Sequence, residues 1–187
     1  MDFVIIGGGV YGVGVAWGLA KRGAEVIVLE SGEIASGASG GLGKRGVRAN
    51  GRDVRELPLM RVAYALWPDL HEQVGADTGY ERDGNLHLIE RDRDLAGAAA
   101  QAWMQEQQGI PTTLLSAEAV REMEPSLSPR IQGALFCPND GVADHTATTR
   151  ALAKAAQRHG AVIREHTPVT GLERSGDRIT AVITADE

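Results

Sequence analysis

Three glycines and one acid near the start of the chain have the spacing of a phosphate cradle. Gly7, Gly9 and Gly12 form a G-x-G-x-x-G series, with Val10 and Tyr11 between the second and third, and Glu30 follows. Each glycine has a mechanical reason to be there. Gly7 permits a tight turn, Gly9 lets a pyrophosphate approach the backbone, and Gly12 lets a helix lie close to a sheet. The helix that follows presents free N–H groups and a positive dipole end to the phosphates, with Val10 and Tyr11 of the turn counted among the cofactor contacts. Glu30 is placed to accept hydrogen bonds from both hydroxyls of an adenosine ribose. The series is informative because of its setting, between a strand and a helix and answered by an acid about 20 residues later.

The elements that position these residues are legible. Residues 2–6 are a short apolar run, suited to a buried parallel strand. Residues 13–22 place Val13, Ala16, Trp17 and Ala20 on one helical face, and Gly23 supplies the stop. Residues 25–29 are a second apolar run, closed by Glu30. A nicotinamide-binding domain would continue into another crossover helix. This chain instead enters a loop of small residues, 31–43, in which Ser36, Ser39 and Gly40 offer hydroxyls and amides to a second stretch of an extended cofactor. A flexible Gly/Ser linker is the plainer alternative. Beyond it stand Arg45 and Arg48, whose permanent charge and forked donors suit a carboxylate. Lys44, Arg52 and Arg55 make the whole region basic, so two solvent-facing arginines remain the bland reading.

Composition narrows the class. The 187 residues carry a net charge of −6 and are 43% apolar and 24% charged, a soluble globular balance without the basic surface of a nucleic-acid binder. The single cysteine, Cys137, permits no internal disulfide and fits a reducing compartment. It reads as a small buried hydrophobe on a strand rather than a nucleophile. The five histidines lack metal-ligand spacing, so no metal centre is expected. No basic leader precedes the first strand, and residues 3–20 are too glycine-rich for a membrane span. The expectation is a cytoplasmic protein. Trp17, Trp67 and Trp103 fall on apolar helix faces and read as core or interface residues.

The remainder alternates sheet and helix. Residues 56–74 predict a helix interrupted at Pro68. Residues 80–90 read as a hairpin around Asp83-Gly84. A helix over 95–108, a strand over 112–115, and a helix over 117–123 capped by Ser116 follow. Residues 131–137 form a strand ending in the turn 138–141. Asp144 or Thr146 opens a helix to His159, after which 161–165 are a strand and 168–184 a last hairpin.

The glycine series, Glu30, the loop 35–40, the following arginines and the stretches 58–67, 83–88 and 141–144 together resemble the amine-oxidising flavoproteins. That superfamily includes D-amino-acid oxidases, glycine oxidase and sarcosine oxidases. The resemblance implies an α/β fold: a Rossmann-like FAD-binding βαβ sheet with an attached α+β substrate-side region, truncated relative to the family. It implies FAD as cofactor and a small amine or amino acid as substrate, oxidised at its C–N bond with hydride passing to the flavin and the imine hydrolysed by water. Arg45 would lie over the flavin face and stabilise its reduced form, and Arg48 would hold a substrate carboxylate. The expected regions are an FAD-binding part over 1–75, a substrate-side part over 76–143, a return to the FAD-binding part over 144–166, with strand 161–165 beside 25–30, and a hairpin over 167–187. The chain matches only about the first half of a usual member, which leaves strand 2–6 as an open apolar edge. Self-association or a partner chain carrying the other half is therefore expected. A non-catalytic dinucleotide-binding module, or a subunit whose purpose is assembly, is the alternative.

Overall fold

The computed structural model describes residues 1–37 and 43–185. In chain order the elements are β1 (Phe3–Ile6), α1 (Val10–Ala20), β2 (Val26–Leu29), β3 (Lys44–Val47), α2 (Leu57–Val74), β4 (Asn85–Ile89), α3 (Asp92–Gln107), β5 (Thr113–Ser116), α4 (Ala117–Met123), β6 (Gly133–Cys137), β7 (Gly141–Asp144), α5 (His145–Arg158), β8 (Val162–Arg164), β9 (Val169–Ser175) and β10 (Arg178–Thr184). They fall into two units, Met1–Lys44 with Leu70–Gly79 and Asp144–Glu187, and Arg45–Asp69 with Tyr80–Ala143.

In the first unit β1, β2 and β8 make a parallel sheet in the order β1-β2-β8. The strand expected beside 25–30 is there, with Ile27 opposite Val162. All four residues of β2 are buried, as a central parallel strand requires. β1 lies at the end of the order, and Phe3, Val4 and Ile6 are 46%, 43% and 55% exposed. Helix α1 buries Val13, Ala16, Trp17 and Ala20, the face read from the sequence, and packs against α5. α5 buries Leu152 and the small residues Ala151, Ala153, Ala155 and Ala156, and small side chains allow helices to approach closely. Asp144 caps α5 by accepting from the Ala147 N–H at 2.9 Å, so it and not Thr146 opens the helix. Gly176, at φ +60°, turns the β9–β10 hairpin.

The second unit holds an antiparallel sheet, β4-β6-β5, and a two-stranded ladder of β3 with β7. Ala98 and Ala102 of α3 cluster with Ile89 and Leu135 of the larger sheet. Val120 of α4 clusters with Ile131 and Ala134. Ser116 caps α4 as expected, accepting from the Ala119 N–H at 3.2 Å. Trp67 is half-buried and stacks on Tyr80, whereas Trp103 is 62% exposed.

Two expectations are corrected, and two strands were not anticipated. Pro68 does not interrupt its helix, because α2 runs through it to Val74. Proline removes the N–H that would bond the carbonyl four residues earlier, that of Tyr64. Arg82 takes over that carbonyl, donating from Nη2 at 2.6 Å. The segment 80–90 is not a hairpin. Its first arm pairs Glu81 with Val142, and its second arm, β4, pairs with β6. Gly84 serves packing as well as turning: at φ +86°, any Cβ on it would sit 2.5 Å from the Phe136 ring. Lastly, β3 and β7 escaped the sequence reading, being short ladders of mixed polarity.

Replacing Arg82 with Leu should therefore strand the Tyr64 carbonyl, at a cost of about 1–3 kcal/mol. Urea unfolding with a shifted midpoint and an unchanged slope would report it. An unchanged midpoint would show that α2 tolerates Pro68 without help.

Candidate functional site

The turn between β1 and α1 is built on contacts that exclude side chains. Gly7 has φ +103°, a conformation natural to glycine. A Cβ on Gly12 would lie 2.0 Å from the Gly7 carbonyl oxygen, so α1 rests directly on the turn. The helix's own bonding begins with the Val13 N–H on the Gly9 carbonyl at 3.0 Å, which leaves the N–H groups before it outside the helical ladder. Gly9 offers no side-chain cap, and a Cβ there would meet nothing within 4 Å. Val10 and Tyr11 are 46% and 89% exposed.

Glu30 is tied back to this turn. Its Oε2 accepts from the Gly8 N–H at 2.6 Å, and its Oε1 from the Gly32 N–H at 2.8 Å and the Ser31 hydroxyl at 3.1 Å. Partial burial would raise its pKa, but the two amides and the hydroxyl outweigh burial and hold it below the ordinary glutamate value. The carboxylate is therefore anionic at neutral pH, with three of about four acceptor positions occupied. Of these donors the exposed Ser31 hydroxyl is the one readily displaced.

Gly8 did not stand out in the sequence, yet it is the residue that reaches Glu30. A Cβ on it would lie 2.3 Å from Ile34 Cδ1. The run of three glycines was the available signal. Ile34 is fixed in turn by its N–H on Glu165 Oε1 at 2.6 Å, and Ala35 adopts φ +68°. Together Gly9, Glu30, Ala35 and Gly37 line a pocket of about 140 Å³. Ser36 is exposed in the same loop. Ser39 and Gly40 lie outside the described residues.

Arg45 and Arg48 belong to the second unit. Arg45 is exposed on β3. Arg48 follows that strand, and its Nη1 donates to the Asn50 carbonyl. The loop they lead into is held by a buried carboxylate. Asp140, 0% exposed, accepts from the Ala49 N–H at 2.6 Å, the Asn50 N–H at 3.1 Å and the Tyr64 hydroxyl. Asn50, also 0% exposed, donates from Nδ2 to the Asn85 and Leu135 carbonyls, each at 3.0 Å. Arg52 Nε donates to the Arg48 carbonyl at 2.7 Å. Burial first, and then the Asp140 and Cys137 contacts, raise the Tyr64 phenol well above its usual value. Burial likewise pushes the Cys137 thiol up, consistent with its reading as an inert hydrophobe. This network was not read from the sequence, although Asp140-Gly141 in the turn after a strand was a visible signal. A Cβ on Gly141 would lie 2.1 Å from the Glu81 carbonyl oxygen.

No group of three or more His, Cys, Asp or Glu among the described residues is arranged to hold a metal ion, and no helix there is long and apolar enough to cross a membrane. A parallel βαβ unit with glycines closing the turn and an acid ending the second strand defines a dinucleotide-binding fold. A family model described as DAO, FAD dependent oxidoreductase, matches residues 2–187, and the chain belongs to that family. Its cofactor is FAD. Glycine oxidase of Geobacillus kaustophilus is 32% identical over 90% of this chain and 46% of its own length. The sarcosine oxidase beta subunit of an Arthrobacter species is 28% identical over 98% of this chain and 47% of its own. The crystal structure of L-proline dehydrogenase from P. horikoshii superposes with a TM-score of 0.88 at 33% identity, over 98% of this chain and 48% of that one. The chain thus spans about half the length of these relatives.

Asp140 is the group whose loss would disturb the Arg48 loop most. Asp140→Ala should leave two buried amides and a phenol unpaired, each worth about 1–3 kcal/mol. We expect a marked fall in thermal midpoint, with Tyr64→Phe, which removes one donor of three, clearly milder. Equal effects of the two variants would show that the carboxylate is not what holds the loop.

Proposed function

We propose that the chain is the FAD-binding portion of an oxidoreductase that oxidises the C–N bond of an amino acid or secondary amine. The observation that carries this reading is the pocket at Gly9, where open space above a side-chain-free helix start meets an anionic Glu30. The names of the relatives, glycine oxidase, L-proline dehydrogenase and the sarcosine oxidase beta subunit, support the amine side of it.

In this reading Gly7, Gly9 and Gly12 bring the backbone to the pyrophosphate, and the N–H groups at Val10 and Tyr11 face its charge. Glu30 accepts from the adenosine ribose, exchanging the Ser31 hydroxyl for a ribose hydroxyl while keeping its two amides. Ser36, Ser39 and Gly40 border the next stretch of the cofactor. FAD supplies the two-electron acceptor for the amine. Arg48 spends one of its five N–H groups on Asn50 and orients a substrate carboxylate with others. Arg45 places a fixed positive charge near the reacting groups. The division expected from the sequence, 1–75 with 144–166 for FAD, 76–143 for the substrate side and 167–187 as a separate hairpin, is redrawn along the compact units. Met1–Lys44, Leu70–Gly79 and Asp144–Glu187, hairpin included, hold FAD, and Arg45–Asp69 with Tyr80–Ala143 serve the substrate side. The buried free thiol of Cys137 accords with a cytoplasmic setting.

Refolding or expression in the presence of FAD should give absorption bands at about 370 and 450 nm that remain through desalting. Bleaching of the longer-wavelength band by an amino acid under anaerobic conditions would establish turnover. Stable bands without bleaching by any amine would favour a binding module instead. Glu30→Gln should weaken FAD binding by about 1.5–3 kcal/mol, about tenfold or more. FAD held as tightly as by the parent would remove Glu30 from the ribose.

We further read the exposed edge at β1 as a partner-facing surface. Its support is the half-exposed apolar trio Phe3, Val4 and Ile6, together with two relatives that are subunits by name, one of sarcosine oxidase and one of the opine oxidase of Rhizobium meliloti. In light scattering after size exclusion, the isolated chain should run above its monomer mass. Val4→Lys on that edge should shift it toward monomer. A monodisperse monomer before any substitution would contradict this.

A further inference from the structure

A pocket of about 560 Å³ lies wholly within the second unit, between helix α3 and the segment 52–57. The dinucleotide reading makes no use of it. Its size falls in the range of small-molecule sites. We propose that it binds a small amphipathic monocarboxylate, with a carboxylate head and a medium-length apolar tail.

Three observations carry this. The first is Gly97, in the interior of α3, where glycine weakens a helix relative to alanine. A Cβ on Gly97 would meet nothing within 4 Å, so the glycine relieves no clash and simply leaves the hollow open. The second is the apolar wall. Val54 and Met104 line the pocket while 46% and 45% exposed, and Leu57 lies buried beneath at 1%. An apolar tail laid against them would remove that surface from water.

The third is the polar set. Arg52 and Arg93 line the same pocket, with His87 beside them and Asp94 as the opposing charge. Arg93 Nε is 3.5 Å from Asp94, and Arg52 is 3.7 Å from Glu56 while its Nε holds the Arg48 carbonyl. Each guanidinium thus stands near one carboxylate, of which only Asp94 lines the pocket, and each keeps further N–H donors for an incoming carboxylate. Gln105 adds a buried donor: it is 3% exposed, and its Oε1 accepts from the Thr112 hydroxyl at 2.6 Å. That leaves its amide N–H groups for an occupant. A carboxylate recognised by Arg93 and the Gln105 amide, with its tail along Val54 and Met104 into the space over Gly97, satisfies all three.

The test uses the 187-residue chain and octanoate below its micellar concentration, followed by calorimetry and by amide shifts along α3. Saturable binding with shifts at Gly97 and Gln101 is expected. Gly97→Leu projects into the hollow from a Cβ that meets nothing within 4 Å, and should keep or raise the thermal midpoint while weakening octanoate at least about tenfold. Arg93→Gln should weaken octanoate similarly, because Asp94 then sets the local charge. 1-Octanol should bind clearly less well than octanoate. Binding unchanged in Gly97→Leu would place octanoate elsewhere, such as the β1 edge, and overturn the proposal. Equal affinity for 1-octanol, or no saturable binding, would overturn it as well. Each readout is independent of FAD, so failure of the flavoenzyme reading leaves this test intact.

Discussion

The contact between Gly12 and the Gly7 carbonyl governs the first unit. With no Cβ in the way, α1 drops onto the turn, and a methyl group would already stand 2.0 Å from a backbone oxygen. That seating fixes where the helix N-terminus points and brings Gly8 to within 2.6 Å of the Glu30 carboxylate. The acid at the end of β2 and the turn after β1 are thereby one assembly. Its two amide bonds keep Glu30 ionised in a partly buried setting, where desolvation alone would favour the neutral form.

The second unit solves a similar problem with a different carboxylate. A loop following β3 carries amides into a buried place, and buried backbone donors require partners. Asp140 supplies them from the far side of the β6–β7 turn, and Tyr64 adds a hydroxyl from α2. Asn50 completes the arrangement by bonding two carbonyls, on β4 and β6. Arg48 is thus carried on a loop whose backbone is specified at almost every group. An exposed arginine on such a base keeps its position without being buried.

Where sequence reading went astray, the cause was a partner distant along the chain. Pro68 deprives Tyr64 of its helical bond, and local rules end the helix there. Arg82 restores the bond from outside the helix, so the break never occurs. Asp83-Gly84 has the composition of a hairpin turn, but the strands flanking it found better partners in β6 and Val142. The glycine is required there by the Phe136 ring as well as by its positive φ. The same limit hid Asp140, whose bond to Ala49 spans 91 positions, and Glu165, whose bond to Ile34 spans 131.

The sequence by itself determined what depends on neighbours a few positions apart. The buried face of α1, the strand on either side of it, the capping by Ser116 and Asp144, and the turn of the β9–β10 hairpin all follow from short-range periodicity and side-chain chemistry. The FAD family was legible for the same reason, since its glycines and acid lie within a single βαβ unit. Only the tertiary structure decided that α2 continues past Pro68, that β3 finds β7, and that the Gly8 N–H reaches across to Glu30. It also decided that Gly97 of α3 lines a pocket. Each of these turns on whether a particular donor, ring or empty volume is present across space, and spacing along the chain carries no record of that.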